Sequence, residues 1–166
     1  VAYNMNRGCS PDHQGYQSLL IQQIGQRLKG HECRVFGPPF DVILSKPNAR
    51  VDETDTILQP DVLVICDKSK VDSRGCHGGP EFVIEITSPS TKLRDKTVKV
   101  DLYEKYKVNE YWIINPEKNA VYIRRLNSEG TFDPVEVLEA KGKIPIRTLS
   151  NLKIDFDEIQ DTVWRF

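Results

Sequence analysis

Pro80-Glu81-Phe82-Val83-Ile84-Glu85-Ile86-Thr87-Ser88 is a near-continuous apolar run with an acid at its centre. Phe, Val and Ile at this density read as a strand, and the lack of polar alternation reads as burial on both faces. Glu85 cannot stay ionised there alone, because an unpartnered buried carboxylate either costs several kcal/mol or takes up a proton. A cationic side chain, a hydrogen-bonded network or a bound metal ion must compensate it. The first of these makes Glu85 half of a structural ion pair; the last makes it a carboxylate aimed at a metal.

Upstream, Gln59-Pro60-Asp61-Val62-Leu63-Val64-Ile65-Cys66 opens on a proline and an acid and is apolar from there on, which predicts a second buried strand. Asp61 therefore starts one buried strand and Glu85 lies within the next. If the two strands are antiparallel neighbours, both carboxylates fall on one face at one end of the sheet. The segment between them, Asp67 to Gly79, carries Gly75, Gly78, Gly79 and several charges, and suits an exposed hairpin connection.

Downstream, Ser88-Pro89-Ser90 ends the strand, and Ser90 or Thr91 is placed to cap a helix. At the helical repeat, Asp95, Lys99, Leu102, Tyr103 and Tyr106 share an arc of about 100°. Lys99 thus lies on the inward stripe and needs an anion, unless its stem carries the ammonium out to water. Arg94, Asp101, Glu104 and Lys105 fall largely on the outward side. Lys96 lies at the edge of the inward arc. The crowding of Lys92, Arg94, Lys96, Lys99, Lys105 and Lys107 reads, for all but Lys99, mainly as a solvated helix face.

The remaining segments complete an α/β pattern. Ser10-Pro11 has the form of an N-cap with proline at the first helical position, and Leu20, Ile21, Ile24 and Leu28 then recur at helical spacing until Gly30. His13 falls on the side of Leu20 and Ile24, so its imidazole is directed toward the core. Short strands are expected at Val1–Met5, Cys33–Phe36 and Phe40–Leu44, with Ser45 to Thr56 a loop or hairpin tip. Glu110–Asn115 and Val121–Leu126 read as strands joined at Pro116–Ala120. Val135–Leu138 reads as another strand, and Ile154–Val163 as a terminal strand or helical turn.

The 166 residues fit a single domain, 1–166, and the chain opens at Val1, so further residues are expected upstream. With 23 basic and 24 acidic residues and a formal net charge of −1, no basic footprint announces a phosphate backbone. Cys9, Cys33, Cys66 and Cys76 contain no C-x-x-C pair and no zinc-site spacing. No signal-peptide pattern or long apolar run is present, so reduced thiols, a cytoplasmic location and no membrane contact are expected.

An acid after proline at a strand start, a glutamate inside the next strand and an inward lysine suit metal-assisted phosphodiester hydrolysis. Mg²⁺ prefers carboxylate and carbonyl oxygens, and a lysine can hold the attacking water or offset developing negative charge. Pro60-Asp61-Val62-Leu63-Val64, Pro80 to Thr91, Asp95 with Lys99 and Tyr103 at four-residue steps, and Glu110-Tyr111-Trp112-Ile113 together resemble the Uma family of restriction endonucleases, within the PD-(D/E)XK nuclease superfamily. The resemblance runs from His13 to about Leu126. It implies a restriction-endonuclease-like central mixed β-sheet flanked by α-helices, with additional antiparallel strands. It also implies Mg²⁺ or Mn²⁺ held by Asp61, Glu85 and the backbone carbonyl of Ile86, with His13 and Tyr103 in support and DNA as substrate. The superfamily's simplest motif places lysine two residues after the glutamate, where this chain has Thr87. The resemblance therefore points to Lys99 as catalytic lysine, with Lys96 as its competitor. By analogy with enzymes that cut both strands, a homodimer is expected. A catalytically inactive binding or scaffold module on the same fold is the alternative, with Glu85 and Lys99 as a buried ion pair. A glycosidase using Asp61 and Glu85 leaves Lys99 unexplained.

Overall fold

The computed structural model of the protein describes residues 10–45, 56–88 and 93–164. The strand expected at Val1–Met5, the cap expected at Ser90 or Thr91 and the side chain of Asp95 lie outside the described residues. Helix α1 spans Pro11–Arg27, and its cap is the expected one: the Ser10 side chain accepts the His13 backbone N–H at 3.2 Å. Strands β1 (Arg34–Phe36), β2 (Val42–Leu44), β3 (Thr56–Leu58) and β4 (Val62–Ile65) follow. Next come β5 (Val71–Asp72), β6 (Gly75–His77) and β7 (Phe82–Ile86), then helix α2 (Leu93–Lys105). The last part holds β8 (Glu110–Asn115), β9 (Ala120–Arg125), β10 (Glu136–Glu139), β11 (Lys143–Ile146), β12 (Leu152–Asp155) and helix α3 (Phe156–Thr162).

Six strands form a mixed sheet in the order β1-β4-β7-β8-β9-β10. Only β7 and β8 run parallel, which is why a helix, α2, is needed to cross between them. Both faces are covered, as the unbroken apolar runs require. Val62, Val64, Phe82, Ile84, Trp112 and Ile114 pack with Tyr16, Leu20 and Ile24 of α1 and with residues of β11, β12 and α3. The alternate residues Leu63, Val83, Tyr111 and Ile113 pack with Tyr103 of α2 and with Val42, Leu44 and Cys76.

The segment from Asp67 to Gly79 differs from the exposed hairpin expected of it. β6 pairs in parallel with β2 in a second sheet, ordered β3-β2-β6-β5, and Cys76 is fully buried. Gly75 makes this possible. Its φ is +139°, and a Cβ there would stand 2.2 Å from the Asp41 carbonyl oxygen. Gly75 and Gly79, two of the glycines that suggested a loop, therefore serve close backbone approaches, Gly79 to the Tyr106 carbonyl. β3 likewise starts at Thr56, the residue expected to end a loop.

The expectation of reduced thiols is corrected at one pair, since Cys33 and Cys66 form a disulfide. Arg34 is registered with Ile65 in the antiparallel β1·β4 pair, so the flanking cysteines meet directly. A separation of 33 residues hid this from spacing rules. Among the described residues, no helix is long and apolar enough to cross a membrane.

Candidate active site

β4 and β7 are antiparallel neighbours, with Val62 opposite Ile84. One step further along that register, Asp61 faces Glu85. The Asp61 side chain continues the ladder where the backbone pairing stops: its Oδ2 accepts the Ile86 backbone N–H at 2.7 Å. Helix α1 grips the same residue twice. His13 Nε2 stands 3.3 Å from Asp61 Oδ2, and Gln17 Nε2 donates to the Asp61 carbonyl at 2.8 Å. Two polar residues on the core side of α1 thus fix one acid by its side chain and its main chain. Gln17 escaped the sequence reading, because a glutamine beside Leu20 and Ile24 carries no distinguishing pattern.

Glu85 is buried, and two groups from α2 meet its Oε1: Lys99 Nζ at 3.0 Å and the Tyr103 hydroxyl at 2.9 Å. The one-turn spacing from 99 to 103 stacks both donors over the same oxygen. Burial raises the Glu85 carboxyl above its ordinary value and Asp61 adds to the rise, while Lys99 and the Tyr103 hydroxyl pull it down. The Tyr103 phenol is pushed well above its usual range, first by burial and then by the Glu85 charge, so it acts as a donor. The Lys99 side chain keeps 35% of its exposure, which leaves its ammonium within reach of a ligand.

The His13 imidazole is held above its ordinary 6.5, chiefly by its hydrogen bond to Asp61, with the Ile86 backbone and Glu85 also favouring the cation. Asp61, Ile86 and Glu85 therefore define a place where positive charge is stabilised, and they are the groups expected to hold a metal. The donor set is two carboxylates and a carbonyl, hard oxygens of the kind Mg²⁺ and Mn²⁺ take, with waters completing the shell. Among the described residues, no three His, Cys, Asp or Glu side chains form a ready-made metal cage.

Thr87, at the position of the superfamily's simplest lysine, instead donates its hydroxyl to the Ile114 carbonyl at 3.3 Å. Lys96 does not join Glu85; it lines a neighbouring pocket. The structure thus brings together Asp61, Glu85, Lys99, Tyr103, His13 and Ile86.

The Uma2 family model, described as "Putative restriction endonuclease", matches residues 2–157. The chain belongs to the Uma2 family. Solved structures similar to it include a putative nuclease of DUF820 from Anabaena variabilis ATCC 29413, which is 19% identical. The match covers 99% of this chain and 87% of that one, with a TM-score of 0.71, and it shows a shared fold. No curated protein matches the chain. Membership of Uma2 supports a nuclease, and the mixed α/β architecture is the expected one.

Proposed function

We propose that this Uma2 chain is a Mg²⁺- or Mn²⁺-dependent endonuclease that hydrolyses DNA phosphodiester bonds at the Asp61–Glu85–Lys99 cluster. The observation that carries the reading is the meeting of two carboxylates across β4 and β7, with a half-exposed lysine on one of them. Asp61, Glu85 and the Ile86 carbonyl would hold the ion. When bound, it would polarise the scissile phosphate and lower the pKa of a water.

The chain's own residues supply the rest. Gln17 and the Ile86 N–H keep Asp61 from swinging away, so the acid is oriented before any ligand arrives. Tyr103 holds Glu85 Oε1, which leaves Lys99 able to turn its ammonium toward a phosphate oxygen without stripping Glu85 of its last partner. Cutting both strands calls for two such sites, and a homodimer would provide them.

Plasmid cleavage in Mg²⁺ or Mn²⁺ tests the reading. Wild type should cut, while Asp61→Asn and Lys99→Ala, shown by melting to be folded, should not. Variants that cut as fast as wild type would refute it. A second reading is favoured by the direct 3.0 Å contact between Lys99 and Glu85, which is what a structural pair in a non-catalytic module needs. A Mn²⁺ titration read by electron paramagnetic resonance decides between them. Stoichiometric binding lost in Glu85→Gln without a lower melting temperature supports the nuclease. No binding, with Glu85→Gln melting well below wild type, supports the module.

A further inference from the structure

The sheet face that carries Glu85 continues into a pocket of about 330 Å³ between α2 and strands β8 and β9. In the β7·β8·β9 register, Glu85 is opposite Ile113 and Ile113 is opposite Tyr122. The pocket floor is Ile113, Tyr122 and Val100, the last being the residue after Lys99. Its rim is cationic, with Lys96 from α2, Lys118 from the β8–β9 turn and Arg124 from β9. Thr87, two residues beyond Glu85, also lines it and joins it to the acidic cluster.

Charge argues that this pocket is more than a surface dent. The chain carries 24 acids against 23 bases, yet here three cations converge and, among the described residues, no carboxylate lines the wall. No ion pair to any of the three occurs among the described residues. A ring and branched side chains below, with three unneutralised cations around them, suit one flat apolar group attached to one anion. A nucleotide has this composition: its base stacks on the ring and its phosphate takes the cations.

Size decides which form of nucleic acid fits. A cavity of this volume takes a small ligand, and a base paired within a duplex must first be unpaired and unstacked to enter it, a cost that an already single-stranded base does not bear. We infer that the Val100–Ile113–Tyr122 pocket with its Lys96, Lys118 and Arg124 rim binds an unpaired nucleotide next to the phosphate to be cut, so that the substrate is DNA with a single-stranded end or gap. This rests on the nuclease reading and names the substrate class of that site.

The test is fluorescence anisotropy in EDTA, using a blunt DNA duplex and the same duplex with a short single-stranded overhang. Wild type should bind the overhang about tenfold more tightly, and Lys118→Glu and Tyr122→Leu should each erase most of that preference. Lys118 is exposed, so its variant serves even if the Tyr122 variant fails to fold. Equal affinity for the two DNAs, or a preference that both variants retain, would overturn the inference. The absence of metal separates this result from the nuclease reading. A preference without any cleavage in Mn²⁺ would keep the pocket and discard the nuclease, and cleavage without a preference would do the reverse.

Discussion

Glu85 and Glu110 lie in adjacent parallel strands, both are buried, and they are held in opposite ways. Glu110 is saturated. Its two oxygens receive the Trp112 indole N–H at 2.6 Å, the Thr148 backbone N–H at 3.0 Å and the Thr148 hydroxyl at 3.1 Å, and Arg125 Nε stands 3.6 Å away. These donors reach it from β8, β9 and the turn that follows β11, so the acid works as a rivet between layers. Among the described residues Glu85 receives two donors, both on Oε1, and a second carboxylate bears on it. A structural acid is surrounded until nothing further can bind; an acid meant for a ligand is left underpartnered beside another negative charge.

Cleavage is where the two acids should differ most. Asp61→Asn should cost about 10²-fold or more in the rate of DNA cleavage, as loss of a group that positions charge at a reacting centre does, while Thr148→Val on the Glu110 side should leave the rate within a few-fold. Stability should rank them in reverse. Glu110→Ala leaves the buried Trp112 indole N–H without its acceptor, removes the acid beside Arg125 and opens a cavity, and should cost about 3 kcal/mol in denaturant melts, against little loss or a gain for Glu85→Gln. An equally large loss at Glu85 would make the two acids alike and favour the structural module.

Removing single donors is a finer probe. Tyr103→Phe and Trp112→Phe each delete one hydrogen bond to a buried acid and should each cost about 1–3 kcal/mol, with Tyr103→Phe at the lower end because Lys99 still serves Glu85. The smallest effect is on pH dependence. The folded-state value of Glu85 is raised above the ordinary 4.5, so the stability it contributes is full below that value and is lost as pH rises through the folded one. Glu85→Gln should therefore gain on wild type as pH rises through that window. His13, raised above 6.5, contributes stability that is full below 6.5 and falls away as pH rises through its folded value. Melts of His13→Gln should approach those of wild type at alkaline pH.

The sequence announced these two acids unequally, for a physical reason. Glu85 interrupts an apolar run, and the cost of burying it led directly to Lys99 on the inward stripe of α2. Glu110 opens its strand, a position where an exposed acid is ordinary, and one of its partners, Thr148, lies 38 residues away. Helical geometry alone did not separate Lys99 from Lys96, since both lie near Tyr103 on the helix surface; it is the 3.0 Å contact with Glu85 that singles out Lys99. β11 escaped because it contains Pro145, tolerated there in a two-stranded ribbon. The Cys33–Cys66 pairing depended on the β1·β4 register, which composition does not carry.

That disulfide also determines how the molecule survives being cut. It brackets residues 34–65, so a protease nick anywhere between the two cysteines leaves α1, with His13 and Gln17, covalently tethered to the strand that begins after Asp61. On a gel run without reductant the nicked chain would migrate as one piece and, with reductant, as two. The covalent link between the two sides of the acid's clamp therefore does not depend on backbone continuity between the two cysteines.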